Sequence, residues 1–428
     1  MTSSVYHARW ILPVASPPIE NGRLVVQDGR IVAVEKAGTL DPAAIDFGDS
    51  VLLPGFVNAH THLMLTGCRG LRYHGSFTGW IRDLVTVHPR LSPPGTVRQS
   101  VREGLQQSLT AGVTTVADIG DGMEAIEAWA ARRINIAGFL EVLGIGPKRA
   151  GKHPSAVQVA ADMLRNGSLP LCAEAQKKGS LTQESLFVPG LSPHAPYSTD
   201  ADVYREAIEC VSGLSGICRG LCTHLAETPE EEQFLRDGTG PFRDLLEQFG
   251  LWDGSYQPPG CSPVEFMEHV AFLSHRPLLV HCNYVSDSDL DLIAASEASV
   301  AYCPRSHAFF NHEPHRWREM LARGINVCVG TDSLASNHTL SVLDELRFLY
   351  RIDPSIPGEQ LIHMGTLAGA KALGLADAIG SLETGKRADL AVVTLDRPGS
   401  RDPVDAILTG TAQPSAVFVC GRNVQGMR

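Results

Sequence analysis

The spacing of apolar and polar positions changes twice along the chain. Residues 1 to about 54 alternate over short stretches. The run from Gly22 to Glu35 divides into two alternating halves joined by Asp28-Gly29, a dipeptide that favours the tight turn of a β-hairpin. The far end has the same texture, and Gly380–Thr394 and Ser415–Val424 read as strands with glycine turns. The two ends are therefore expected to form one small β-sandwich domain, residues 1–54 together with 376–428. Between them, continuous apolar runs alternate with helix-like segments, as in βα units around a parallel sheet. Eight runs qualify: Val51–Ala59, Val113–Ile119, Ile134–Leu143, Leu186–Leu191, Gly220–Thr223, Pro277–Val280, Ser299–Cys303 and Ile325–Gly330. Helical spacing is clearest over Thr96–Leu109, Asp200–Leu214, Asp287–Ser296 and His315–Arg323, with a further helix expected at Pro154–Leu164. The expected fold class is α/β, with a (β/α)8 TIM-like barrel over residues 55–375. The alternative, an open doubly wound sheet, would ordinarily carry a phosphate or dinucleotide fingerprint, and neither G-x-G-x-x-G nor a Walker pattern occurs.

Composition narrows the functional classes. The 428 residues are 43% hydrophobic and 19% charged, enough apolar material for a large core. The net charge of −11 and the lack of a Lys/Arg cluster argue against nucleic acid as a partner. No run approaches the roughly 20 apolar residues that span a bilayer, so no membrane partner is expected. The apolar stretch Trp10–Val14 lacks the basic leader and long core of a signal peptide. Ten cysteines without a C-x-x-C pair suit buried free thiols in a cytoplasmic protein.

Candidate chemistry gathers where these runs end. Active sites of such barrels are built at the C-terminal ends of the strands. The first run closes with Val51-Leu-Leu-Pro-Gly-Phe-Val-Asn-Ala-His-Thr-His62, and residues i and i+2 of a strand share a face, so His60 and His62 converge. The fourth runs into Ser192-Pro-His194, the fifth ends Thr223-His224-Leu-Ala-Glu227, the sixth Val280-His281 and the eighth Gly330-Thr-Asp332-Ser333. Imidazole nitrogen with carboxylate oxygen suits zinc, and an open coordination position lets a bound water ionise near neutral pH. His60, His62, His224 and Asp332 would supply the ligands. Glu227 and His281 are candidate acid/base groups. Each has a plainer alternative: Glu227 could begin a solvated helix at Thr228-Pro229, Asp332 could cap one, and His281 could be an ordinary buried histidine. Trp80, Tyr197, Phe309 and Phe310 could stack on a planar base or simply pack in the core. The cluster Asn311-His-Glu-Pro-His315 is expected at the surface, without a role.

Taken as an ordered set, "PGFVNAHTHL", "SPHAPYS", "THLAE", "VHC" and "GTDSLASN" resemble the amidohydrolase superfamily. The resemblance is narrower to its mononuclear deaminases and chlorohydrolases acting on nitrogen heterocycles, such as adenosyl-thioether, aminofutalosine and guanine deaminases and triazine hydrolases. It implies one divalent ion, zinc first and ferrous iron second, on His60, His62, His224 and Asp332. It implies that Glu227 protonates a ring nitrogen, that His281 orients the hydrolytic water, and that Asp332 also shuttles the proton. His194 would touch the substrate, with Trp80, Arg305 and Ser333 as further candidate contacts. Binuclear relatives carry a bridging lysine at the fourth strand, where this chain has Pro193-His194. The chain departs from the branch at Cys303-Pro-Arg-Ser-His307, where Arg305 or His307 could reshape the pocket. The resemblance implies a small-molecule substrate and a homodimer. The expected activity is hydrolytic deamination of an adenine-type base or nucleoside, with chlorohydrolase or cyclic-amide hydrolase activity as the alternative.

Overall fold

The computed structural model describes residues 3–38, 42–91, 96–130, 133–145, 157–162, 185–213, 220–252 and 254–425. Eight parallel strands lie side by side in chain order: Phe56–Thr61, Val113–Gly120, Asn135–Val142, Phe187–Pro193, Gly220–Leu225, Leu278–His281, Ser299–Tyr302 and Asn326–Val329. Nearly every residue in them is buried, as strands covered on both faces must be. Small side chains from alternate positions of several strands, among them Ala59, Ala117, Ala137, Cys222, Ala301 and Cys328, join Phe139 in one cluster that fills the barrel interior.

The ring closes between its first and last strands through residues just beyond the eighth. Thr331 N and Asp332 N donate to His60 O (3.0 and 3.1 Å). The Asn58 side chain adds two bonds, donating to Thr331 Oγ1 at 2.8 Å and accepting from Thr331 N at 3.0 Å. Backbones approach so closely here that a Cβ at Gly330 would lie 2.8 Å from His60 Cβ and 2.9 Å from His60 O. Glycine is the side chain this seam admits.

The chain ends build a second sheet of eight strands. Its order is Arg422–Asn423, Pro414–Val419, Leu390–Thr394, Ser50–Pro54, Ser3–Ile11, Ile19–Gln27 and Arg30–Lys36, with Ile45–Asp46 alongside Ser3–Ile11. The hairpin turn at Asp28-Gly29 has φ of +49° and +77° at its two residues, the left-handed pair such a turn requires. Tyr6, Leu24, Ile31, Leu52, Leu390 and Phe418 form one core drawn from both ends of the sequence. Ile31 N donates to Lys386 O and Ala388 N to Gly29 O (both 2.9 Å), so the sheet curls over that core.

Several expected elements differ. Val51–Ala59 is two strands, not one: Ser50–Pro54 pairs antiparallel with Leu390–Thr394 in the chain-end sheet, and the barrel strand starts at Phe56. The helix expected over His315–Arg323 is Trp317–Ala322. Of the helix expected at Pro154–Leu164, residues 157–162 are helical and the rest lie outside the described residues. The eight described cysteines are free, six of them buried.

Candidate active site

His60 closes the first barrel strand at an irregularity. Asn58 pairs with Val116 and Thr61 with Asp118, so three steps of one strand match two of the other. Such a bulge re-aims the side chains that follow. Past it, Leu63 N donates to Asp118 Oδ1 (2.8 Å) and pins the chain just beyond His62. The fifth strand supplies His224, whose Nδ1 lies 2.9 Å from His194 O. A carbonyl only accepts, so the proton of neutral His224 sits on Nδ1 and its Nε2 carries a lone pair. That Nε2 stands 3.1 Å from Nε2 of His62, which is itself held by the backbone of Ile119. Both ring nitrogens of His60 are buried, and among the described residues neither has a hydrogen-bond partner within 3.5 Å. One ligand atom from each of His60, His62 and His224 lies within 4.8 Å of the others. Burial, then the neighbouring imidazoles, pulls His62 down to about 3 and His224 well below the ordinary histidine value. Three converging buried imidazoles, with the Nε2 atoms of His62 and His224 facing one another, fit a divalent cation, which would satisfy all three at once.

Asp332 faces this set across the seam, with Oδ1 3.6 Å from His60 Nε2. Its backbone is left-handed (φ +56°). Ser306 and Ser336 hydroxyls donate to Oδ2 (2.7 and 2.8 Å), and Ser333 N donates to Oδ1 (2.7 Å). Burial alone would raise its carboxyl, but the facing His60 ring, followed by those of His281 and His62, favours the ionised form and holds it well below the carboxylate range. Asp332 caps no helix: the next one, Val342–Ile352, starts from Ser341, whose hydroxyl accepts from Asp344 N.

Glu227 and His281 come from the fifth and sixth strand ends and meet with Oε1 3.4 Å from Nε2. Glu227 is buried, and the helix that follows, Pro229–Asp237, begins after Thr228. Its N–H donates to Glu231 Oε2 (2.9 Å) and its carbonyl accepts from Asn283 Nδ2 (3.0 Å). Burial, reinforced by the charges of Asp332 and Glu231, raises the Glu227 carboxyl well above its ordinary value. Burial likewise keeps His281 neutral. The arrangement offers a carboxyl that holds its proton, beside an imidazole free to accept one.

The remaining candidates separate. His194 lies beside the set, its ring 5.0 Å from that of His224; Nδ1 is 2.6 Å from Ser198 Oγ, and Nε2 is 3.9 Å from Glu141 Oε1. Ser333 is buried next to Asp332. Trp80 is buried against Phe77 and Phe310 and borders a cleft of about 360 Å³ with Arg72 and Arg82; its Nε1 has no partner among the described residues. Tyr197 stacks on Phe242 at 3.9 Å, within the core. Arg305 turns to Thr339 Oγ1 (3.0 Å) and Glu345 (3.9 Å), and among the described residues no contact joins it to the imidazoles. One expectation is overturned. The cluster Asn311–His315 is not idle surface: His315 is half-buried and its Nε2 lies 2.8 Å from His281 O.

Four polar residues of the site escaped the sequence reading. Glu141 had a visible sign, as the one charge in the apolar third strand, at its C-terminal end. Ser306 sat in the segment already marked as atypical. Nothing local distinguishes Ser336, or Glu231 within its acidic run.

The sequence pattern of the amidohydrolase family matches residues 51–424. A 5-methylthioadenosine/S-adenosylhomocysteine deaminase from Moorella thermoacetica is 30% identical over 424 residues, 95% of this chain and 90% of the relative. Among solved structures, an adenosine deaminase from Xanthomonas campestris with bound zinc superposes with a TM-score of 0.79 at 20% identity, covering 98% of this chain and 92% of its own. Helicobacter pylori aminofutalosine deaminase in complex with methylthio-coformycin gives 0.79 at 24% identity, covering 98% and 100%. At these identities the two structures speak for the fold. The extent of the sequence match decides the lineage, and with it the chain belongs to the amidohydrolase family.

Proposed function

We propose that the chain is a metal-dependent hydrolytic deaminase of an amino-substituted nitrogen heterocycle, an adenine-type base or nucleoside, and that it releases ammonia. The observation that carries this reading is the buried Glu227 carboxyl, 3.4 Å from His281 Nε2 and raised by its burial, beside the three-imidazole set. His60, His62, His224 and Asp332 would hold one divalent ion, zinc before ferrous iron. When bound, the ion would supply a Lewis acid that makes a water nucleophilic near neutral pH. Glu227 delivers its proton from the carboxyl to the ring nitrogen next to the carbon under attack, which a heterocycle needs before that carbon becomes tetrahedral, and takes back the proton of the carbon-bound hydroxyl as the new carbonyl forms. His281 Nε2, 3.4 Å from Glu227, orients the attacking water and carries no charge that would compete for the cation. Asp332 stays ionised, with Oδ2 engaged by two serines, and accepts the water's proton on Oδ1 before passing it to the leaving amino group. His194 and Ser333 contact the substrate, and Trp80 borders its approach. Arg305 acts indirectly, through the Glu345 network beneath the Asp332 loop.

The deaminase name of the Moorella relative supports the adenine-type substrate. The same scaffold could instead expel chloride or open a cyclic amide, but neither needs a ring-nitrogen proton donor as directly. The test is ammonia release from adenosine, adenosyl-thioethers, aminofutalosine, guanine and pterins. Silence across that panel with turnover of chlorotriazines or cyclic amides would overturn the proposal. We further propose that residues 1–54 with 376–428 form one unit and 55–375 the catalytic one. A cytoplasmic setting is supported by the free thiols; no described helix is long and apolar enough to cross a membrane. A homodimer remains the assembly to test by light scattering.

A further inference from the structure

We infer that His315 is a positioning residue for the reaction, holding His281 in the backbone conformation that aims its ring at Glu227. The inference rests on the role proposed above for His281.

His281 has φ +74° and Cys282 φ +51°, two successive residues in a region that side-chain-bearing residues avoid. Such backbone persists only where its surroundings over-determine it. Beyond the bend, Cys282 N donates to Leu225 O (2.9 Å) and Tyr284 N to Ala226 O (3.0 Å), fixing the chain after His281. The peptide of His281 itself is gripped by a side chain. Nε2 of His315, 34 residues on, lies 2.8 Å from the His281 carbonyl. That oxygen can only accept, so His315 carries its proton on Nε2 and donates. The ring is oriented by stacking flat on Tyr302, with centroids 4.0 Å apart and planes 23° from parallel. Tyr302 ends the seventh strand, so the sheet itself sets the angle of the donor. The other nitrogen, Nδ1, is buried and has no partner among the described residues, leaving the His281 carbonyl as the ring's one hydrogen-bonding target there. Burial pulls His315 down to about 3, so it stays neutral and donates in the same way across the working pH range.

Without this donor, the His281 peptide is free to relax out of the left-handed region, and its ring leaves the 3.4 Å contact with Glu227. A misplacement of about 1 Å in a reacting group costs on the order of 100-fold in turnover. A histidine that merely packs the core would lower the melting temperature and leave turnover per folded, metal-loaded site unchanged.

His315→Phe keeps the stack on Tyr302 and removes the donor; His315→Leu replaces it if the Phe variant does not fold. His315→Gln restores an N–H near the position of Nε2. Each is assayed as the full chain with zinc content, kcat and KM on a substrate of the wild type. The expected result is a kcat lower by about 100-fold in the Phe variant, with KM and zinc content near wild type and most of kcat recovered in the Gln variant. A Phe variant within twofold of wild-type kcat overturns the inference, as does equal loss in the Phe and Gln variants. His281→Asn separates the two levels. If it abolishes turnover while His315→Phe does not, the inference alone falls; if it leaves turnover intact, the role given to His281 falls and takes the inference with it.

Discussion

A carboxyl that keeps its proton at neutral pH is rare, and Glu227 has the means to do so. It is buried, it faces the ionised Asp332, and its backbone is tied to the neighbouring Glu231. An isosteric amide cannot give up a proton. Glu227→Gln should therefore lower kcat by about 100- to 10,000-fold while zinc content stays at the wild-type level. The pH profile carries the same information. The folded value lies above the ordinary one, so the protonated form is present below it, and activity should fall as pH rises through it. Wild-type turnover in the Gln variant would remove Glu227 from the chemistry. At this scale the histidines, Glu227 and Asp332 were legible because each ends an apolar run. Glu141 was equally placed and went unread, since a single charge in a strand has no spacing partner. His315 was misjudged because its partner is a backbone carbonyl, which leaves no trace in side-chain pattern.

Among elements, the join between the first and eighth strands sets the site. A methyl group at position 330 would meet His60 Cβ at 2.8 Å, His60 O at 2.9 Å and Cys303 Sγ at 3.0 Å. Two of those contacts belong to the strand that carries the proposed ligands. Gly330→Ala should cost about 1–3 kcal/mol through overpacking. It should also lower zinc occupancy, because His60 and Asp332 are forced apart. A thermal midpoint and zinc content both equal to wild type would show that the seam can yield. Eight strand runs were readable because buried parallel strands are continuously apolar. The same property hid the break at Gly55: Leu52, Leu53, Phe56 and Val57 are all fully buried, and periodicity cannot mark a boundary inside such a run. The helix Val342–Ile352 lies outside the segments with clear helical spacing, although its cap, Ser341, is a usable start sign. The bulge at Asn58–Thr61 could not be foreseen, since register belongs to a pair of strands.

Over the whole molecule, buried titratable groups pull in opposite directions. His194, His307 and His312 are brought to about 4 and His62 and His315 to about 3, each chiefly by burial. Their folded values lie below the unfolded 6.5, so their contribution is complete above 6.5 and is lost as pH falls toward 3–4. Glu141, Glu231 and Glu345 are raised by burial to about 8. For these the native state holds a proton that the unfolded chain has released, so stability drops as pH climbs from about 4.5 to about 8. The chelated protein should melt at its highest temperature near pH 6 and lower on either side. A flat melting profile between pH 4.5 and 8.5 would contradict this account. Adding zinc should raise the alkaline side most, because neutral imidazoles bind it best.

The stitch that Asn58 makes to Thr331 joins positions 273 residues apart. A ribosome must therefore deliver more than three quarters of the polypeptide before His60 and Asp332 can face one another. No early fragment emerging from synthesis would own a complete ion cradle, so loading with metal becomes a late event and a natural report that the ring has shut.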